Sequence, residues 1–255
     1  MYKRQRLEDG RTICIRTVTP KDEERLRAGI ARMSPRSRYL RFFSGGASPP
    51  DWVIERLLDA DGVLHLAWGA LDLSDPASID AFAEDVAEET ATIDILINNA
   101  AIMASPLARD ARGYEMQFAT NHLGHFQLAA RLWPLLLADG GARVVALSSI
   151  GHRLNGLDLD DPNFERRDYD KWLAYGQAKS ANALFALQLD KLGEAQGVRA
   201  FAVHPGGIAT PLQRHLTMEE QRAMGWYDEE GNVHEAFKST EEGASTSVWL
   251  SLIHI

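Results

Sequence analysis

The chain has 255 residues, of which 45% are hydrophobic and 25% charged, a composition typical of a globular protein that can bury one large core. It contains no run of eighteen apolar residues and no apolar segment after its basic start, so we expect neither a membrane span nor a signal peptide. Its single cysteine, Cys14, rules out an internal disulfide and favours a reducing, cytoplasmic location.

The charge is unevenly distributed along the chain. The net charge is −9, yet residues 1–46 contain twelve Lys and Arg against five Asp and Glu. A basic block of this kind is one signature of nucleic-acid binding. Here apolar residues separate the basic ones in a pattern typical of a folded segment, so we expect no nucleic-acid partner.

The amino-terminal part predicts a small α+β segment. Residues 11–17 alternate in polarity and are rich in β-branched side chains, which predicts a strand. Thr19 as N-cap and Pro20 at the first helical position predict a helix that ends near Met33. Together with residues 33–43, these elements resemble the opening of a GCN5-related N-acetyltransferase domain, and the resemblance extends over residues 1–70.

Acetyl transfer is nevertheless not expected. That family seats the acetyl-CoA pyrophosphate on a Gln/Arg-x-x-Gly-x-Gly/Ala turn, which opens a helix and directs backbone N–H groups at phosphate. The 255 residues contain no such motif. An acetyltransferase is therefore the weakest of the functional hypotheses.

A continuous α/β pattern begins at residue 71. Residues 76–86 are amphipathic and capped, which predicts a helix, and residues 93–98 form an apolar run that predicts a buried strand. Residues 113–137 predict a long helix that carries Asn121. The amide of an Asn inside an apolar helix must find hydrogen-bond partners, so this residue is expected to have a specific role.

Two more strands are predicted at residues 144–147 and 198–203. Ser149 follows the first of these strands at its carboxyl end, where ligands bind in open α/β sheets. Ser148 is the alternative candidate for the same role. A hydroxyl at that position can donate to a substrate oxygen and stabilise the charge that develops there. The polar, turn-rich insert 152–170 is predicted to form a lip over the substrate.

Tyr175 and Lys179 are the candidates for proton transfer. Residues 172–189 are rich in Ala, Leu and Gln and predict a helix, with Leu184 and Leu187 on its buried face. The tyrosine and the lysine then lie one turn apart on the same side. Because an ammonium favours the phenolate, it is expected to lower the phenol's pKa from about 10 toward neutrality.

This succession of motifs resembles the short-chain dehydrogenase/reductase family, and more closely its retinol-dehydrogenase-like branch, over about residues 71–249. The resemblance implies an incomplete Rossmann-like, doubly wound parallel sheet. It also implies an NAD(P)-dependent oxidoreductase that transfers hydride between nicotinamide and an alcohol or carbonyl carbon. The motifs that carry it are Asn98-Asn99-Ala100, Asn121-His-Leu-Gly-His, Ser148-Ser149, Tyr175-x-x-x-Lys179 and His204-Pro205-Gly206-Gly207.

The resemblance also implies a role for each motif residue. Tyr175 would be the general acid/base, Lys179 would hold the ribose, Ser149 would bind the substrate oxygen, and Asn121 would complete a proton relay. NAD or NADP would be bound by Asp72, Leu73, Asn98, Ala100, Tyr175, Lys179, Pro205, Gly206 and Thr210. The implied substrate is a small alcohol or carbonyl compound, and the implied assembly is a homodimer through the helices of Asn121 and Tyr175.

The Thr-Gly-x-x-x-Gly-x-Gly turn that seats the pyrophosphate in this family has no match in the sequence. The alternative hypothesis is therefore a catalytically inactive chimera, with residues 1–70 joined to a truncated dehydrogenase segment at 71–249. Residues 250–255 resemble the translation of a transposon end used in sequencing libraries and are predicted to be an artefactual tail. His122 and His125 lack a Cys or carboxylate at ligand spacing, so no metal is expected.

Overall fold

The computed structural model describes residues 3–6, 12–15, 23–24, 27–28, 69 and 71–252. The chain divides into two compact units, Met1–Trp68 and Gly69–Ile255. In the first unit, β1 (Lys3–Arg6) pairs antiparallel with β2 (Thr12–Ile15). β2 confirms the predicted strand, whereas the predicted segment 33–43 lies outside the described residues.

The second unit alternates helices with strands. The elements are α1 (Pro76–Glu89), β3 (Ile95–Asn98), α2 (Met116–Phe118), α3 (Gly124–Leu137), β4 (Arg143–Leu147), α4 (Lys171–Gly193), β5 (Arg199–Val203), α5 (Met218–Ala223) and α6 (Thr240–Leu252). Asp75 caps α1 by accepting the N–H of Ala77 at 3.0 Å, with Pro76 at the first helical position, which confirms the capped helix predicted from residue 76.

The three strands of this unit form a parallel sheet in the order β3-β4-β5. Ile95 pairs with Arg143, and Val145 pairs with Phe201. Parallel neighbours require a crossover, which α2 and α3 supply between β3 and β4 and which α4 supplies between β4 and β5. The carboxyl ends of all three strands therefore lie at one edge of the sheet.

Helices cover both faces of the central strand. Val144 and Ala146 belong to a core that includes residues of α1, α3 and α4. Val145 and Leu147 point to the opposite face, where Leu250 of α6 packs against them. This alternation confirms the predicted Rossmann-like, doubly wound α/β architecture for the three parallel strands β3, β4 and β5. Leu250, which packs against the sheet, is also a residue of the predicted 250–255 tail.

Two helix predictions need correction. The predicted helix from residue 113 begins only at Met116, because Gly113 has a φ of +91°, and a π-helical turn, Ala119–Leu123, joins α2 to α3. The burial predicted for Leu184 and Leu187 is wrong, since each is 55% exposed. α4 instead buries Leu189 and its small residues, such as Ala174, Ala178 and Ala181, and leaves Leu184 and Leu187 at the surface.

Among the residues that the structure describes, no helix combines the length and the apolar character needed to cross a lipid bilayer.

Candidate active site

Tyr175 and Lys179 lie near the start of α4. The carboxylate of Asp170 caps this helix by accepting the N–H groups of Trp172 and Leu173, each at 2.8 Å. Tyr175 is 5% exposed and Lys179 is 2% exposed. The Lys179 ammonium lies 5.6 Å from the centre of the phenol ring, which confirms that helical spacing places the two groups side by side.

Ser149 is the serine that lies beside the phenol. Its hydroxyl acts on the phenol to lower the pKa of Tyr175, and its Oγ accepts the N–H of Gly151 at 3.1 Å. The neighbouring Ser148 is directed elsewhere, because its Oγ donates to the carbonyl of Lys179 at 2.9 Å. Gly151 completes the fit, since a Cβ there would lie 3.1 Å from Cδ1 of the phenol ring.

Burial dominates the ionisation of the tyrosine–lysine pair. Enclosure in an apolar cluster raises the pKa of Tyr175, and the Ser149 hydroxyl only partly opposes this effect. Burial lowers the pKa of Lys179 from 10.5 to about 8. The expected lowering of the phenol's pKa by its neighbour is therefore wrong in this structure, where the ammonium donates to the carbonyl of Leu147 at 2.8 Å.

Asn121 anchors a neighbouring backbone segment. Its Oδ1 accepts the N–H of Ile102 at 2.9 Å, and its Nδ2 donates to the carbonyl of Ile102 at 2.8 Å. The predicted need of this amide for partners is thus met within the chain. Its own carbonyl lies 3.0 Å from Nδ1 of His125, whose pKa burial lowers to about 4. His122 lies 3.2 Å from Oδ1 of Asn182.

Asn98 is the last residue of β3, an outer strand among those described, and Ala100 follows it at the carboxyl end of the sheet. Asn98 is 3% exposed, and neither atom of its side-chain amide has a hydrogen-bond partner among the described residues. A buried amide without such a partner is costly in a folded protein. Ala100 is exposed beside it.

The turn after β5 contains three of the predicted cofactor residues. Gly206 has a φ of +102°, a conformation that favours glycine. The ammonium of Lys238 donates to the carbonyl of Pro205 at 3.1 Å, and the Lys238 N–H donates to the carbonyl of Gly207 at 2.8 Å. Thr210 caps a 3₁₀ turn, Pro211–Gln213, by accepting the N–H of Leu212 at 3.3 Å.

Asp72 and Leu73 precede α1. The Asp72 side chain is exposed, and hydrogen bonds from the hydroxyl and N–H of Ser74 lower its pKa. Leu73 is 6% exposed and belongs to the core, where its backbone packs against the beginning of α3. That backbone lies so close to Gly124 that a Cβ there would be 2.2 Å from the Leu73 carbonyl oxygen.

An apolar cluster encloses the phenol of Tyr175. Met103, Ala104 and Leu216 are buried in one cluster with Tyr175, and Trp172, Leu212 and Trp226 pack against it. The segment 211–227 thus supplies Leu212, Leu216 and Trp226 to this cluster. Beneath the cluster lies a buried polar network of Glu115, Gln117 and Tyr169, for which sequence spacing provides no signal.

The fold and this constellation agree with the comparisons to known proteins. The model of the short chain dehydrogenase family matches residues 53–221, so the chain belongs to that family. The match begins within residues 1–70, and the predicted resemblances to an acetyltransferase and to a sequencing adaptor stay predictions.

Two relatives illustrate the similarity. The chain is 44% identical over 202 residues to a probable oxidoreductase of Streptomyces antibioticus, covering 78% of this chain and 66% of that protein. It is 39% identical over 183 residues to retinol dehydrogenase 12 of Homo sapiens, covering 71% of this chain and 55% of that protein. These matches confirm the resemblance to the retinol-dehydrogenase-like branch, although the chain spans at most about two thirds of either relative's length.

The sheet and its helices also superpose on solved structures. NADPH-bound carbonyl reductase from chicken fatty liver has a TM-score of 0.54 at 20% identity, covering 79% of this chain and 75% of that chain. A gluconate 5-dehydrogenase from Burkholderia cenocepacia, in complex with NADP and tartrate, has a TM-score of 0.52 at 19% identity, covering 72% of this chain and 67% of that chain. At these identities the likeness concerns the fold alone.

Proposed function

We propose that this chain is an NAD(P)-dependent oxidoreductase that interconverts an alcohol and a carbonyl compound, with Tyr175 as general acid/base. The observation that carries the proposal is the grouping of Ser149, Tyr175 and Lys179 at the carboxyl edge of the sheet. A phenol and a buried ammonium one helical turn apart, with a serine hydroxyl beside the phenol, are the parts needed to move a proton onto or off a substrate oxygen.

The residues at this edge fit the nicotinamide-ribose end of a dinucleotide. The unpartnered amide of Asn98 and the buried ammonium of Lys179 are groups that ribose hydroxyls can satisfy. Thr210 and the Pro205–Gly206 turn would lie against the nicotinamide, as the family resemblance implies. When bound, the nicotinamide supplies or accepts the hydride. Asp72 and the backbone of Leu73 would contact the adenine.

Side chains of the protein itself would transfer the proton to the substrate oxygen. Because burial raises its pKa, Tyr175 keeps its proton near neutrality and is set to donate it to a carbonyl oxygen. Ser149, which lies beside the phenol, would donate to the same oxygen and stabilise its developing charge. Lys179 would stabilise the phenolate that remains, and Asn121 would fix the backbone beside the site. Alcohol oxidation reverses these transfers.

The test is a titration of the purified chain with NADPH and NADH, followed by nicotinamide fluorescence, with acetyl-CoA as the control nucleotide. A panel of aliphatic and aromatic aldehydes then tests turnover. Tyr175→Phe is expected to lower turnover roughly 100- to 10,000-fold while NADPH binding is retained. Tyr114→Phe, a change at a 37% exposed tyrosine, is the matched control. Full activity of Tyr175→Phe would refute the assignment.

A second candidate is a folded chain without catalysis. The observation that favours it is the lack of any Thr-Gly-x-x-x-Gly-x-Gly match in the sequence. In that case NADPH and NADH would not bind to a chain whose circular dichroism shows a cooperative fold. Saturable acetyl-CoA binding would instead support the hypothesis that residues 1–70 belong to an acetyltransferase.

We also propose that a second copy of the chain covers an apolar surface formed by Phe126, Leu157, Leu184, Phe185 and Leu192. Phe126 is 53% exposed, Leu184 is 55% exposed and Leu192 is 59% exposed. The rings of Phe126 and Phe185 lie 5.9 Å apart across α3 and α4, the helices that the family resemblance assigns to a homodimer. Exposed apolar patches of this kind mark protein interfaces.

A further inference from the structure

The backbone from Ile102 to Ser105 forms a wall beside the catalytic tyrosine. Met103 and Ala104 are buried in the same apolar cluster as Tyr175. Ala104 has a φ of +51°, in the left-handed region that residues with a Cβ rarely adopt. Such a backbone persists where surrounding contacts hold it, and places of this kind concentrate at functional sites.

A buried amide holds this conformation. Gln117, in α2, is fully buried, and its Oε1 accepts the N–H of Ala104 at 2.9 Å. Its Nε2 lies 2.9 Å from the carbonyl of Lys171, the first residue of α4, and 2.9 Å from the hydroxyl of Tyr169. One side chain therefore links the wall to the beginning of the helix that carries the catalytic tyrosine.

Tyr169 extends this link to the next residue of the wall. Its hydroxyl lies 3.0 Å from the carbonyl of Ser105 and 3.1 Å from Oε1 of Glu115. The Glu115 carboxylate also accepts the N–H groups of Gln117 at 3.0 Å and Phe118 at 2.7 Å. Burial raises the pKa of the Tyr169 phenol, so its hydroxyl remains a donor.

We propose that Gln117 and Tyr169 are positioning residues that hold the Ile102–Ser105 wall at a fixed distance from Tyr175 during the reaction. This inference rests on the proposed function, because the wall matters only if a substrate is oriented against it. Neither residue bonds to the groups placed at the nucleotide, Asn98 and Lys179. Their loss therefore loosens the substrate and leaves the nucleotide in place.

Tyr169→Phe is the variant that tests this role. It removes a single oxygen and keeps the ring that packs edge-on against Phe164, with ring centres 5.2 Å apart. Gln117→Met is a second variant that removes all three hydrogen bonds of the amide. Tyr114→Phe is the matched control, because it removes a phenol hydroxyl outside the network.

Two measurements on the full chain decide the outcome. Amide hydrogen exchange of peptides that contain residues 102–105 is expected to accelerate in Tyr169→Phe and not in Tyr114→Phe. For the most rapidly reduced aldehyde of the panel, kcat/KM is expected to fall roughly 10- to 100-fold, as for a misplaced substrate, while the NADPH dissociation constant stays within twofold.

The outcomes separate this inference from the proposed function. Unchanged exchange and unchanged kcat/KM in an active Tyr169→Phe would overturn the positioning role alone. Equal losses in Tyr169→Phe and Tyr114→Phe would overturn it as well. A wild-type chain that binds neither NADPH nor NADH would overturn the proposed function, and with it the reason for a positioned wall.

Discussion

The ammonium of Lys179 donates to the backbone carbonyl of Leu147 at 2.8 Å, and the same carbonyl accepts from the amide of Asn182 at 3.0 Å. Leu147 is the last residue of β4, the middle strand of the sheet. Its carbonyl therefore fixes a buried cation at the edge where ligands bind in folds of this type. The positions of Tyr175 and Lys179 are thus determined jointly by a helix and by the end of a strand.

This buried lysine predicts a specific dependence of stability on pH. Its pKa is 10.5 when unperturbed and about 8 in the folded chain, so the unfolded state binds more protons between these values. The free energy of unfolding is therefore expected to rise as pH increases from about 8 to 10.5, by about 3 kcal/mol in all. Urea unfolding at several pH values should show this rise relative to Lys179→Met.

The exposed Lys191 on the same helix supplies the control for that experiment. Lys191→Met should keep the pH dependence of the wild type. If the unfolding free energies of Lys179→Met and of the wild type changed in parallel across this pH range, the pKa of Lys179 would not be lowered in the folded chain.

Gly151→Ala is expected to impair turnover. The added methyl group would lie 3.1 Å from the ring of Tyr175 and 3.5 Å from Oγ of Ser149. Because both groups must approach one substrate oxygen, displacing the ring should lower kcat roughly 10- to 100-fold. Gly156→Ala is the control, since no atom lies within 4 Å of its Cβ position. Equal kinetics of the two variants would contradict this geometry.

Asn98→Leu is expected to separate stability from binding. The leucine has a similar size and removes a buried amide that has no partner among the described residues, so the nucleotide-free chain should gain about 1 kcal/mol in unfolding free energy. NADPH affinity should fall at the same time, because the amide is the group offered to the ribose. Thermal unfolding and fluorescence titration measure the two effects. Unchanged affinity would remove Asn98 from the cofactor site.

The apolar surface predicts the assembly state. Phe126→Glu or Leu184→Glu places a charge where a second copy would pack, so sedimentation velocity should show a shift from dimer to monomer. Leu159→Glu is the control, because Leu159 is 80% exposed and lies outside that surface. A wild-type chain that sediments as a monomer at all accessible concentrations would contradict the dimer.

Much of the local structure followed from the sequence. Some features depend only on residues within a few positions of one another. They are the apolar segments that form strands, the start of α1 at Asp75 and Pro76, and the side-by-side placement of Tyr175 and Lys179. Regular backbone geometry converts such spacing directly into a shared face or a cap, which is why these predictions were confirmed. The order of the motifs likewise indicated the family.

Other features were decided only by the tertiary structure. Leu184 and Leu187 have the apolar character of core residues, yet they lie at the surface because the small residues of α4 pack inward instead. The pKa of Tyr175 rises because distant segments enclose it. Gln117 contacts Ala104 and Tyr169 across thirteen and fifty-two residues. The periodicity of apolar residues indicates which side chains lie on one face of a helix or strand. Burial and long-range hydrogen bonds depend on which helices and strands pack together in the folded chain.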